Sequence, residues 1–345
     1  MQEVKRNPAV DAIKTVAIFG TLLIHATAAG GFAGEVGSLP WTANLFWSSL
    51  LRCAVPLFLM CSGALFLDSG RPLPMGRLWK KYILRIAVAL FFWAGCYLLW
   101  DVWYNGAAFS PSRLLSDWLG FRHRTHLYYL QIMLAVYAVL PITRLVAEKA
   151  GAAVRRYLIL VWVIAGSLLP TLGALPMLSP DAGLIQRYAI RFTWMAVGYG
   201  LAGHFITRSR RKRSRLFYGL LFAAGFLVVF GGTLAGSLRQ GVLFEQLFQG
   251  GTLGVLMEAV GLYGLLDNLM AGRRSVPALA VTAKASFCVY LTHPFLLDIL
   301  LRHGLTAGCF HPAWAAPVEA LVLFVWGFGL WLVLRKIPAV NRYLI

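Results

Sequence analysis

The chain has 345 residues, 59% hydrophobic and 13% charged, whereas soluble domains are about half apolar and a quarter charged. That composition, with a mean hydropathy of +0.70, excludes an ordinary soluble globule. A formal net charge of +19 suggests nucleic acid at first, but the basic residues gather in alternate loops, so the charge reports membrane topology and not DNA binding.

The apolar runs are about 20 residues long, enough to cross a bilayer as helices. Spans are predicted near 9–29, 45–67, 82–104, 127–147, 157–177, 186–207, 216–236, 250–270, 278–300 and 314–334. The expected fold is therefore an all-α polytopic membrane protein of about ten transmembrane helices, forming a single domain over 1–345. With the N-terminus inside, the inner segments hold 23 Lys and Arg and the outer ones eight, with Lys14 inside the first helix completing the 32. The positive-inside rule then predicts that both termini are cytoplasmic. Lys5 and Arg6 followed by an apolar run ending in Ala26-Thr-Ala28 resemble a cleaved leader, yet Asp11 and Lys14 interrupt it. Residues 9–29 are accordingly read as a retained first span.

That first span holds the strongest functional signal. Asp11, Lys14, Ala17, Ile18, Thr21, His25, Ala28 and Ala29 fall on or near one helical stripe. Ionisable groups inside a span are costly and mark function by default. Lys14 and His25 are eleven residues apart, about 16 Å along the helix. They cannot touch, but they can line one wall of a common channel. A neutral imidazole can take a proton from a hydroxyl at about pH 7, and Lys14 can bind a phosphate as a point charge. A coenzyme A thioester has the matching shape, with phosphates at one end and an acyl carbon at the other. The alternative is structural: Asp11 pairs with Lys14 at i,i+3 and His25 bonds a backbone carbonyl.

Further along, Arg52 lies near the outer end of the second span, where it either binds an anionic acceptor or snorkels outward. Ser62-Gly63 suits close backbone approach. The outer segment Arg122-His-Arg-Thr-His126, with Tyr128 and Tyr129, suits a sugar or its lipid phosphate, though an interfacial aromatic belt gives the same composition. Arg187 and Arg191 share a face at the start of the sixth span, as an acceptor site or as headgroup anchors. Tyr290 and His293 share a face of the ninth, to orient an acceptor, to support His25 or simply to pack. Glu258 and Asp298 have no assignable role. The five cysteines show no metal-binding spacing, and no metal is expected. No repeat is visible in the two halves, as inverted-repeat transporters would show.

Several segments together resemble the integral-membrane acyltransferase-3 family. Lys14-x10-His25 resembles its Arg/Lys-x10-His signature. Arg52-Cys-Ala-Val-Pro56-Leu-Phe58 with Ser62-Gly63-Ala-Leu resembles the VPLFF…SGxLL run. His126-Leu-Tyr128-Tyr129-Leu resembles HLWYL, and Ser286-Phe-Cys-Val-Tyr290-Leu-Thr-His293 resembles SFxIYLxH. The order matches along nearly the whole chain, in the compact form without an extra soluble domain. Where many members carry Arg-x-x-Arg at the third helix, this chain has Tyr82 three residues before Arg85, leaving Lys81 and Arg85 at i,i+4 as the candidate phosphate clamp.

The resemblance implies an O-acyltransferase of a bacterial inner membrane that moves acetyl from acetyl-CoA to a hydroxyl of a cell-surface or lipid-linked glycan. It makes His25 the catalytic base and Lys14, Lys81 and Arg85 the coenzyme A contacts. Arg52, His126, Tyr128, Arg187, Arg191, Tyr290 and His293 are the candidates for the acceptor. The expected partners are acyl-CoA, the glycan and membrane lipid. Succinyl or longer acyl transfer stays open within that class. Outside it stand a flippase or transporter of a lipid-linked sugar, and a sensor that kept the fold but lost the chemistry.

Overall fold

The computed structural model describes residues 6–68, 70, 72–120, 124–174, 192–209, 212–306 and 309–345, and among these the regular structure is entirely helical. In chain order the helices are α1 (Pro8–Ala28), α2 (Leu39–Leu50), α3 (Ala54–Phe66), α4 (Met75–Trp103), α5 (Pro111–Leu119), α6 (Tyr128–Ala138), α7 (Leu140–Lys149), α8 (Ala152–Gly173), α9 (Phe192–Arg208), α10 (Arg215–Gln240), α11 (Leu253–Leu269), α12 (Pro277–Arg302), α13 (Ala315–Leu334) and α14 (Pro338–Tyr343).

Seven segments are long and apolar enough to cross a membrane: α1, α2 with α3, α4, α8, α10, α12 and α13. The predicted 127–147 span is a pair, α6 and α7, bent by 57° just before Pro141, which denies its turn a backbone donor. The predicted 250–270 and 186–207 spans correspond to α11 and α9, each of 17 residues. At 1.5 Å per residue α11 reaches about 26 Å, slightly less than the roughly 30 Å hydrocarbon core, while α9 begins where the described residues resume. Among the described residues seven segments, or eight with the bent pair counted as one, have the length and hydropathy to cross, as expected of an all-α polytopic membrane protein.

The local chemistry sets where these helices begin. The Asn7 side chain accepts from the Ala9 N–H at 3.0 Å and Pro8 opens the first turn of α1, the residue types preferred at those positions. Ser214 caps α10 by accepting from Phe217 N–H at 3.1 Å. At its other end Gly241 adopts a left-handed conformation, φ 71°, and donates to the Ser237 carbonyl.

Helix α1 lies at the centre, packed against α2, α3, α11, α12 and α13. Ile13, Ala17, Ile18, Leu22 and Ala26 are fully buried. Its lower residues Val10, Ile13 and Ala17 join a core with α3, α6, α9 and α11, while Ile18, Leu22 and Leu23 join a second core with α4, α12 and α13. Lipid tails are as apolar as leucine, so helix association here depends on close packing by small residues. Gly63 of α3 meets Gly200 of α9 backbone to backbone, and Gly203 meets the backbone of Met60. Outward faces keep exposed apolar residues, such as Leu321, Val325 and Val333 of α13, for contact with hydrocarbon.

The predicted second span is broken. Leu51–Cys53 separate α2 from α3, and Arg52 sits in the break. Its Nε donates to the Phe248 carbonyl at 3.0 Å, an Nη donates to Ser48 Oγ at 3.4 Å, and the guanidinium lies 4.2 Å from the Phe248 ring. Glu258, fully buried in α11, accepts the Cys53 N–H at 3.2 Å through Oε2. This carboxyl supplies, from another helix, the acceptor that an N-cap side chain gives an orphan amide. Glu258 thereby gains a role that its position in the sequence did not suggest.

Candidate active site

A cavity of about 860 Å³ opens between α1, α3, α4, α6, α12 and α13, within the roughly 300–1,000 Å³ typical of cofactor and ligand pockets. Its wall carries six cationic side chains, Arg6, Lys14, Arg85, Lys284, Arg335 and Lys336, against one acidic side chain, Asp11, with the last residue, Ile345, also on it. Asp11 is already engaged, accepting from Arg6 Nε at 2.7 Å and Nη2 at 3.1 Å. The i,i+3 pairing of Asp11 with Lys14 therefore does not form, and among the described residues Lys14 makes no ion pair or hydrogen bond. Its side chain lines the cavity in the N-terminal half of α1.

Arg85 also lines the cavity, where its guanidinium donates to the Ile345 carbonyl. Lys81 does not. It is exposed, with its ammonium 5.8 Å from the Tyr82 ring, and Tyr82 takes the place on the wall. The cause is the π-helical stretch Leu78–Ile83, whose wider turn removes the i,i+4 facing that an α-helix would give Lys81 and Arg85. Lys81 is thus not on the cavity wall with Arg85, and the lysines that are, Lys14, Lys284 and Lys336, come from different segments.

Phe58, Tyr129 and Tyr290 line the cavity, with Tyr290 also packing against His126 and His293. The Tyr129 and Tyr290 rings are 5.6 Å apart, and Phe58 lies 6.0 Å from Tyr129. Three imidazoles cluster there: His25 of α1, His126 of the 3-10 turn Thr125–Leu127, and His293 of α12. Ring centroids are 4.8 Å apart for His25 and His293, 5.6 Å for His126 and His293, and 6.4 Å for His25 and His126. Lys14 therefore lines the cavity directly, whereas His25 does not and packs instead against His293, itself next to the lining residue Tyr290. Among the described residues no group of three or more His, Cys, Asp or Glu side chains is arranged to hold a metal ion.

The histidine cluster is held from several sides. Tyr290 Oη donates to the His126 carbonyl, and Tyr97 of α4 packs 5.0 Å from the His126 ring while donating to the Leu291 carbonyl at 2.7 Å. Asp298, without a role in the sequence, accepts a two-pronged bond from Arg124, at 3.2 and 2.6 Å, and one from Trp100 Nε1 at 2.9 Å. Arg124 also reaches Asp101 at 2.5 Å. This clamp joins the turn carrying His126 to α4 and to the helix carrying His293. Arg124→Leu would leave the 12%-exposed Asp298 carboxylate without its main partner. The expected loss is about 2–3 kcal/mol, at or below the lower end for a broken buried pair because Arg124 is partly exposed. Thermal unfolding in nanodiscs checks this, with Arg113→Leu on an exposed helix as the neutral control.

The other candidates separate. Tyr128 is 41% exposed and shares the electrostatic surroundings of Arg52, while its neighbour Tyr129 faces the cavity. Alternation at a helix start decides which of two adjacent tyrosines points inward, and the sequence alone carried no signal for it. Tyr97 was likewise invisible, being one of several aromatics in an apolar span. Arg187 and Arg191 lie outside the described residues.

The chain matches the acyltransferase-3 family, described as an acyltransferase domain, over residues 7–336. It is an acyltransferase-3 protein. The match covers nearly the whole chain and includes the cavity wall from Lys14 to Lys336 and all three histidines. This acyltransferase has no match among curated proteins or among solved structures. As an acyltransferase it requires an acyl donor and an acceptor, and its apolar helices place it in contact with lipid.

Proposed function

We propose that this acyltransferase moves an acetyl group from cytoplasmic acetyl-CoA to a hydroxyl of a cell-surface or lipid-linked glycan, in a bacterial inner membrane. The observation that carries this reading is the six-cation cavity, whose lining residue Tyr290 packs against His293 beside His25. Five of those cations, Arg6, Arg85, Lys284, Arg335 and Lys336, come from segments assigned to the inner face by the charge count, which favours a donor entering from the cytoplasm and cytoplasmic termini. The whole chain, 1–345, acts as one domain in this account.

The donor's phosphates lie against Lys14, Arg85, Lys284 and Lys336, where charge-assisted bonds are strongest. Its pantetheine arm runs along the cavity toward Phe58, Tyr129 and Tyr290. For the thioester to meet His25, which is not on the wall, the lining must open. His25 takes the proton of the acceptor hydroxyl as its oxygen bonds to the thioester carbon. The C–S bond then breaks, and the proton passes from His25 to the departing sulfur. Holding both reactants at one base supplies the effective concentration such transfers need. Phe58 is the last cavity residue along α3, and Arg52 lies beyond it. Arg52, Tyr128 and His126 are assigned to the acceptor.

The test uses purified protein in nanodiscs with acetyl-labelled acetyl-CoA and an extract of host membranes. The expected result is label in base-labile ester linkage to a glycan-bearing product, with one coenzyme A released per ester. Label that stays on coenzyme A while a lipid-linked sugar changes sides of the bilayer would overturn the reading in favour of a flippase.

A further inference from the structure

We infer that His293 is a positioning residue for His25, its Nε2 held as a bare acceptor that fixes which nitrogen of His25 serves as base. The inference rests on the acyl-transfer reading above and starts from the backbone of α12. In an α-helix the Tyr290 carbonyl receives the amide of residue 294. Residue 294 is proline, inside the helix, and has no N–H to give. His293 fills that gap: its Nδ1 lies 2.8 Å from the Tyr290 oxygen. A carbonyl oxygen only accepts, so Nδ1 carries the hydrogen and Nε2 carries the lone pair.

That Nε2 is buried, on a side chain with no exposed surface, and has no hydrogen-bond partner among the described residues. A buried acceptor without a donor is costly, and one beside a reactive group points to a partner that arrives or turns during function. The nearest such partner is His25. Centroids 4.8 Å apart and rings tilted by 48° bring a nitrogen of each within hydrogen-bond range when they point at each other. An N–H of His25 directed to His293 Nε2 leaves the other His25 nitrogen with its lone pair free for the acceptor hydroxyl. Through the reaction His293 keeps its own proton. The hydroxyl proton moves to His25, the O–C bond forms, the C–S bond breaks, and His25 passes the proton to sulfur. His293 stabilises the His25 cation that exists between those two transfers, as an orienting partner does in other base–orienter pairs.

The sequence Tyr290-Leu-Thr-His293-Pro294 thus has a stated physical logic. The proline strips a carbonyl of its donor, the carbonyl sets the histidine tautomer, and the tautomer sets the base.

The test measures coenzyme A release from acetyl-CoA by protein in nanodiscs, with host membrane extract as acceptor, for wild type, His25→Ala, His293→Phe, His293→Gln and Pro294→Ala. His293→Phe keeps a ring but no acceptor, and is expected to lower kcat about 100-fold with the donor KM within about twofold. His293→Gln can both donate to the Tyr290 carbonyl and accept from His25, and is expected to retain at least about a tenth of the wild-type rate. Pro294→Ala returns a backbone donor to Tyr290 and releases His293 Nδ1, so the rate falls about tenfold while the melting temperature holds or rises. A merely structural role for His293 predicts an undiminished rate in that variant, because removing a helix-interior proline favours the fold. Should His293→Phe fail to fold, His293→Gln and Pro294→Ala carry the decision. Equal loss in the Phe and Gln variants, an undiminished rate in Pro294→Ala, or a raised acceptor KM with unchanged kcat would each overturn the inference. Wild type and His25→Ala releasing coenzyme A equally would instead overturn the acyl-transfer reading on which it rests.

Discussion

Replacing His25 by alanine is expected to lower acyl transfer by about 10³-fold or more while leaving acetyl-CoA binding within about twofold of wild type. The two halves of that expectation come from different parts of the structure. The cations and walls of the basic cavity do not include His25, so under the proposed function truncating the imidazole removes no contact to the donor. The loss falls on the proton transfer, where a positioned base contributes about 10²–10⁴-fold. His126 and His293 are near but do not replace it. His293 has its Nδ1 committed to the Tyr290 carbonyl, and both rings are more deeply buried than His25. Parallel measurement of label transfer and of donor affinity checks the prediction. A variant that transfers acetyl at the wild-type rate would leave His25 without a chemical role, and one that loses binding equally would make it part of the donor site.

The second large effect concerns the fold. Gly63→Val is expected to destabilise the protein by more than about 3 kcal/mol, beyond the usual range for overpacking. A Cβ at position 63 would lie 1.8 Å from the Gly200 carbonyl oxygen and 2.3 Å from its carbon. These are backbone atoms of a packed helix, so no side-chain rotation relieves the clash. α3 and α9 would have to separate, and with them the wall that carries Phe58 and Ser62 into the cavity. Gly76 offers the control, because a Cβ there meets nothing within 4 Å. Gly76→Ala should therefore melt at or slightly above the wild-type temperature, whereas Gly63→Val should lose its monodisperse peak in detergent. Equal stability of the two would show that α3 and α9 do not pack as described.

Much of this was legible in the chain because membranes enforce strong rules. Twenty-residue apolar runs and the asymmetry of Lys and Arg gave the helices and the basic face, and an ionisable stripe on α1 singled out Lys14 and His25. The chain also offered His126, Tyr290 and His293, and the structure packs the two histidines beside His25, with Tyr290 against both of them. What sequence could not carry was the partner of each charge. Asp11 stands three residues from Lys14 but pairs with Arg6, whose side chain reaches across the first turn of α1. Asp298 and Arg124 are far apart in sequence and meet only because α12 packs against the turn at 125–127. The Lys81–Arg85 spacing misled for a local reason, the π-helical stretch that changes which residues share a face. Glu258 looked unexplained because the break it caps, between α2 and α3, was read as continuous helix. That His25 is not on the cavity wall with Lys14 was also out of reach of spacing arguments, which placed the two on one open wall.

The most direct measurement of the central claim is equilibrium binding of acetyl-CoA to purified protein in nanodiscs, with free coenzyme A as competitor, for wild type, Lys14→Ala and Lys81→Ala. It requires no knowledge of the acceptor. The account predicts saturable binding that coenzyme A displaces, weakened about tenfold (about 1.4 kcal/mol) by Lys14→Ala and unchanged by the exposed Lys81→Ala. Folded wild-type protein that does not bind acetyl-CoA saturably, or that binds it equally well without the Lys14 ammonium, would contradict the assignment of the basic cavity to the donor.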